Sequence, residues 1–135
     1  MRTRVALAVV ELFLAAGALA GMVGLLGGGI QYPRSWLEGT PFPDYTIPAL
    51  ALGVVVGGLA LAAAGAVLWR HSLALPLAAL SGVSIIVFEL VEMAVTRLDA
   101  GALPLQLFYV VIGLVVLWLA ARMWRRPEGI ARLRR

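Results

Sequence analysis

Seven acidic residues are spread over 135 positions, and three of them, Glu11, Glu89 and Glu92, fall inside long apolar runs. Ionising a carboxyl in a low-dielectric place is costly, so acids in such runs tend to mark places where protons, cations or ligands are handled. Glu89 and Glu92 are three residues apart and share one helical face. Two carboxyls meeting there require that one keep its proton or that a cation stand between them. The chemistry this allows is a proton, cation or amine site toward one end of the run, with Gln106, Tyr109 and Asp44 as candidate neighbours. The structural alternative is a pair satisfied by Arg97, Arg34 and loop amides that locks the helix ends, and the shallow position of Glu92 favours it. Glu11 lies about 9 Å from the centre of its run by helical rise. It is expected to act as an interfacial glutamate that snorkels or pairs with Arg70, Arg122 or His71. His71 itself, beside Arg70, reads as a solvated turn residue.

What is missing narrows the chemistry further. The chain has no cysteine and one histidine. Thiol redox chemistry, cysteine-ligated metals, a haem held by paired histidines and multi-histidine iron sites are therefore poor readings. No nucleophile–base pair and no metal-ligand set stands out, so the expectation is a protein that is not an enzyme and carries no metal or cofactor.

The elements that must position these residues are membrane spans. The composition is 62% hydrophobic and 13% charged, with a mean hydropathy of +0.98, well outside the range of soluble domains. The apolar residues fall in four blocks, 5–30, 48–69, 73–95 and 103–124, each long enough to cross a hydrocarbon core as a helix. The blocks lack the dyad alternation of barrel strands. The fold class expected is an all-α membrane protein: four transmembrane helices in one single-domain bundle, built as two hairpins. Arg2 and Arg4 followed by an apolar run resemble a signal peptide, but Glu11 interrupts the run and it continues past Ala18-Leu19-Ala20, so cleavage is not expected.

All eleven basic residues are arginines, and nine of them fall on one side of a four-span topology against Arg34 and Arg97 on the other. That bias places both termini in the cytoplasm, the loops 31–47 and 96–102 outside, and Arg70-His71-Ser72 as a tight inner turn. The arginine-rich tail, 125–135, is then an orientation determinant that meets anionic lipid headgroups. No folded basic module suggests nucleic acid. High Ala, Leu, Val, Gly and Arg usage points to a bacterial chain, hence to the cytoplasmic (inner) membrane.

Helical wheels assign faces. Gly17, Gly21, Gly24 and Gly28 form one small-residue stripe, and Gly53, Gly57, Ala60 and Ala64 form another. Such stripes let helix backbones approach closely, so the two seams are expected to meet, or one of them to form an oligomer contact. In the third span Ala78, Ser81, Gly82, Ile85, Glu89, Glu92 and Thr96 share one face, opposite the apolar Leu80, Val83, Val87 and Leu90. The polar face should look into the bundle.

The first outer loop is rich in proline and aromatics and should pack as a cap, with Trp36, Phe42 and Tyr45 at headgroup depth. Its Thr40-Pro41-Phe42, Asp44-Tyr45 and Pro48, followed by Val54-Val55-Val56-Gly57-Gly58, resemble a family of small, uncharacterised bacterial four-span membrane proteins. The acidic third span and Leu105-Gln106-Leu107-Phe108-Tyr109 are similar to that family too, while Ala49 stands where it usually has glycine. The resemblance covers most of the chain and implies the four-span fold without an activity. A lone acid in the first helix also resembles the small multidrug-resistance transporters, in that respect alone. Two functions are expected from different classes. The first is a non-catalytic subunit or partner of a larger membrane assembly, in contact with other membrane helices. The second is a small transporter or binding protein for a proton, cation or lipophilic molecule that uses Glu89 and Glu92.

Overall fold

The computed structural model describes residues 2–125, and every regular element among them is helical. The tail residues Arg126, Glu128, Arg132, Arg134 and Arg135 lie outside the described residues. Four long helices run up and down: α1 (Arg2–Leu26), α2 (Thr46–Leu68), α3 (Ala74–Val95) and α4 (Leu103–Trp124). Each is long and apolar enough to cross a membrane, and each packs on its chain neighbours while α4 closes back onto α1. Arg2 and Arg125 therefore lie at the same end of the bundle, called the inner end below.

Helix boundaries follow local chemistry. The apolar run that begins at Val5 continues to Ile30, yet α1 stops at Leu26 because Gly27-Gly28-Gly29 break it. Gly28 adopts φ +79°, in the left-handed region glycine tolerates, and the Ile30 N–H returns to the Gly24 carbonyl at 2.9 Å. The α2 helix starts four residues after Phe42, where Asp44 Oδ1 accepts from the Thr46 N–H at 2.9 Å. Pro48 sits in its first turn, where a missing N–H costs little. Residues Ala51–Gly57 then widen into π-helix before α-helix resumes at Gly58, a departure from the regular span expected. At the inner turn Arg70 takes φ +55°, and the His71 N–H closes onto the Ala66 carbonyl at 2.8 Å. His71 is exposed and its Nδ1 accepts from the Leu73 N–H at 3.1 Å, which starts α3. Arg4 Nη1 donates to the Val67 carbonyl at 2.7 Å and ties the beginning of α1 to the end of α2.

The interior has two apolar layers. Near the inner end Leu7, Ala8, Ala63, Val67, Ala78 and Val116 are buried together. Further out, Leu14, Ala15, Ala18, Val56, Ala60 and Ile85 form a second cluster. On α3 the faces fall as the wheel predicts. Ala78, Ser81, Gly82, Ile85 and Glu89 are buried, whereas Leu80, Val83, Val87 and Leu90 are exposed.

The glycines divide their work differently from the expected pair of matching stripes. Gly53 packs against Met22, Gly57 against Ala18 and Leu19, and Gly21 against Leu52, so parts of the two seams do face each other. Gly17 faces the Tyr109 hydroxyl of α4 instead, and Gly24 faces Ile30 of its own chain turn. Gly28 lies beyond the helix with nothing near it. The reason is that the stripe lies over the groove between α2 and α4, and side chains from both sides and from the loop fill it. A close backbone approach lies elsewhere, between α3 and α4. A Cβ on Gly113 would come within 3.0 Å of the Gly82 carbonyl oxygen, and one on Gly82 within 3.1 Å of the Gly113 carbonyl oxygen.

Candidate functional site

Carboxyls occupy two levels of the bundle. The inner level lies between the two apolar layers. Glu11 is 0% exposed, and Ser81 Oγ of α3 donates to its Oε2 at 2.6 Å. Its other oxygen, Oε1, has no hydrogen-bond partner. The interfacial, arginine-paired position expected for Glu11 is thus replaced by a fully interior one. With α1 bounded at Arg2–Leu26, Glu11 is only about 4 to 5 Å from the helix midpoint by helical rise. Its face also carries Leu7, Leu14 and Ala18, all buried. A side chain at that depth on that face has no route to water, so it takes the neighbouring hydroxyl.

The outer level lies beyond the second apolar layer, about 12 Å further along α3 by helical rise from Ser81 to Glu89. Glu89 is 4% exposed, and its carboxyl hydrogen-bonds that of Glu92, which requires a proton between them. Glu92, one turn outward, is half-buried. From α4, Gln106 is 3% exposed and donates Nε2 to Thr96 Oγ1 at 3.2 Å, leaving its Oε1 without a partner. Arg34 and Arg97 are exposed, and the arginine lock expected for the pair is not made at Glu89 Oε2.

The surroundings of the pair are aromatic. Tyr109 lies within electrostatic reach of Glu89, Tyr45 of Glu92, and Tyr32 of both; these are all three tyrosines of the chain. Tyr32 and Tyr45 belong to the first outer loop, and their rings meet edge to face at 5.8 Å while Tyr32 also tilts against Trp36 at 5.4 Å. The Tyr45 hydroxyl donates to the Pro33 carbonyl at 2.7 Å. Burial pushes the Tyr32 phenol above its usual range, and the facing Glu92 and Glu89 push it further. Tyr32 is therefore a neutral hydroxyl at physiological pH.

Tyr32 and Tyr45 also line a half-open cleft of about 380 Å³, together with Leu25, Arg34, Asp44 and Thr46 among others. Asp44 is exposed at its rim and apart from the buried pair. The Thr46 N–H that it accepts holds its carboxyl below the usual range, and Arg34 adds to this. Among the described residues no three metal-ligating side chains gather.

Sequence reasoning placed Glu89, Glu92, Gln106 and Tyr109 at one end of two adjacent helices, and the fold brings them together there. It missed Ser81 as the partner of Glu11, although the apolar spacing Leu7, Glu11, Leu14, Ala18 already marks an inward face. It also missed Tyr32, which nothing local distinguishes from a loop aromatic. No protein-family model, no curated protein and no solved structure matches the chain. The fold holds one sealed carboxyl–hydroxyl pair and, one apolar layer away, one hydrogen-bonded carboxyl pair.

Proposed function

We propose that this is a multi-pass protein of the bacterial inner membrane, with both termini cytoplasmic, that serves as a non-catalytic subunit or partner of a larger membrane assembly. It would be one of the small four-span proteins whose first loop carries the Thr-Pro-Phe and Asp-Tyr pattern. The observation that carries this reading is the second apolar layer. Leu14, Ala15, Ala18, Val56, Ala60 and Ile85, all buried, fill the space between Glu11 and Glu89. A transporter working within one chain needs a polar route across its middle, whereas a packed layer suits a rigid element that offers its outer faces to neighbouring helices. The partners of such an element are the bilayer itself, anionic headgroups at the arginine-rich tail, and helices of other chains or of a second copy.

Two measurements test this. Native mass spectrometry from mild detergent should find the chain in stoichiometric association with another membrane chain or with itself, and release as a lone monomer overturns the proposal. Purified protein in vesicles should give no proton or cation flux above that of empty vesicles, and flux that disappears in Glu89→Gln would establish the transporter instead.

A further inference from the structure

The half-open cleft of about 380 Å³ lies where the first loop leaves α1 and returns to α2, and its volume is within the roughly 300 to 1,000 Å³ of small-molecule sites. Local chemistry shapes it. Gly28, at φ +79°, turns the chain away from the end of α1, and the hydrogen bond from the Tyr45 hydroxyl to the Pro33 carbonyl ties the two arms of the loop together. The end of α1 supplies an apolar part, Leu25, Leu26 and Ile30. That part continues onto the outward face of α1, where Val23 is 64% and Leu26 48% exposed. The loop supplies one charge of each sign, Arg34 and Asp44. Asp44 uses Oδ1 on the Thr46 N–H, and the two charges make no ion pair with each other among the described residues. The carbonyls of Leu25 and Leu26 also accept no backbone N–H among the described residues, as the last turn of a helix leaves carbonyls open.

We propose that this cleft binds the headgroup of a zwitterionic phospholipid, with Arg34 on the phosphate, Asp44 on the ammonium, and Leu25, Leu26 and Ile30 along the start of the acyl chains. Each part selects for that chemistry. A guanidinium matches the oxygens of a phosphate ester. A carboxylate in the same cleft, beside the negative end of a helix dipole, favours a cationic group. An anionic headgroup would bring a like charge to Asp44, and a simple amine would leave Arg34 unmatched. A small soluble zwitterion would have no use for the apolar part. The position agrees with the chemistry. The cleft lies at the ends of two helices long and apolar enough to cross a membrane, and the rings of Tyr32, Trp36 and Tyr45 pack together beside it, as aromatics do at the boundary between hydrocarbon and headgroups. The site rests on the helices crossing a bilayer and not on the partner reading.

The test uses the full-length protein in mild detergent, titrated with phosphatidylethanolamine or with phosphatidylglycerol of the same acyl chains. Native mass spectrometry counts lipids per chain whatever the number of chains, and thermal shift reads the stabilisation. Phosphatidylethanolamine should bind saturably and stabilise the protein, and phosphatidylglycerol should bind several-fold more weakly. Arg34→Gln and Asp44→Asn change exposed side chains, so the fold should persist. Each should weaken phosphatidylethanolamine binding by roughly threefold or more, as for loss of a charge-assisted contact in a half-open site. Arg97→Gln, which removes the same charge just past the end of α3, should leave binding unchanged. Equal affinity for the two lipids, wild-type binding in both cleft variants, or the same loss in Arg97→Gln overturns the proposal. So does glycerophosphoethanolamine binding as tightly as the whole lipid, because the apolar part would then contribute nothing. These failures are distinguishable from a failure of the membrane reading, since a bundle of spans without the site still gathers lipids of every class.

Discussion

Glu11 and Glu89 are buried to nearly the same degree, yet the chain surrounds them on opposite plans. Glu11 has apolar layers on both sides and a serine hydroxyl 2.6 Å away. Glu89 has an apolar layer on one side only; on the other stand a second carboxyl, tyrosines and a loop with a cleft through it. The difference teaches that burial by itself does not identify a functional acid. What separates the two is the partner each carboxyl finds: a hydroxyl between two apolar layers for Glu11, a second and half-buried carboxyl for Glu89. Glu11 reads as a structural link between α1 and α3, and Glu89 as one half of a proton-sharing carboxyl pair at the other end of the bundle.

The largest expected effect comes from truncating each acid. Glu11→Ala leaves a closed cavity and a buried Ser81 hydroxyl without its acceptor, and should cost roughly 2 to 4 kcal/mol. Glu89→Ala opens toward the loop, where water can enter, and should cost about half as much. Reversible unfolding in mixed micelles measures both, and equal losses would erase the distinction between a sealed and an open level.

The second effect tests what keeps the two levels in register. Gly113→Ala sets a methyl against the Gly82 carbonyl and against Ile85 and Ile86, and overpacking of this kind costs about 1 to 3 kcal/mol. Gly21→Ala meets only the end of the Leu52 side chain, which can turn away, so its cost should be smaller. If Gly21→Ala proves the worse of the two in the same unfolding assay, the α1–α2 seam rather than the α3–α4 seam holds the bundle. A third, smaller effect concerns the inner pair. Replacing both partners, as Glu11→Leu with Ser81→Ala, removes donor and acceptor together and should leave stability within about 1 kcal/mol of wild type. A large loss in that double variant would mean that the carboxyl does more than join two helices.

Much of this was legible in the sequence, and the failures have physical causes. Four spans and the inward face of α3 follow from hydropathy and helical period, which depend only on residue type and spacing. Glu11 was misplaced because hydropathy counted Gly27 to Ile30 as part of the span. The three glycines end the helix whatever their hydropathy, and the corrected midpoint moves Glu11 into the core. Its partner could not be read off a wheel, because matching Ser81 to Glu11 requires the relative heights of α1 and α3. Tyr32 was invisible for a related reason: a loop folds back over the bundle by contacts among Tyr32, Trp36 and Tyr45 that no periodicity announces. The π-helical stretch from Ala51 to Gly57, which packs against α1, likewise has no local sequence signal.

The smallest expected effect is at the mouth of the outer level and separates its solvent-linked rim from the sealed interior. Asp44 is fully exposed, and the Thr46 N–H holds its carboxyl below the unfolded value of 3.8. A carboxylate lowered in this way stabilises the fold above the unfolded value, and the contribution is lost as pH falls through the folded one. Asp44→Asn keeps an oxygen to cap the start of α2 but removes the charge that favours a helix N-terminus. Wild type should therefore be slightly more stable than Asp44→Asn near neutral pH, and the gap should close below about pH 4. Melting temperatures of the two proteins from about pH 7 to about pH 3 measure it, at low salt because an exposed charge is readily screened. A gap that stays constant over that range would show that Asp44 acts through its oxygen alone and that its charge adds nothing to the outer rim.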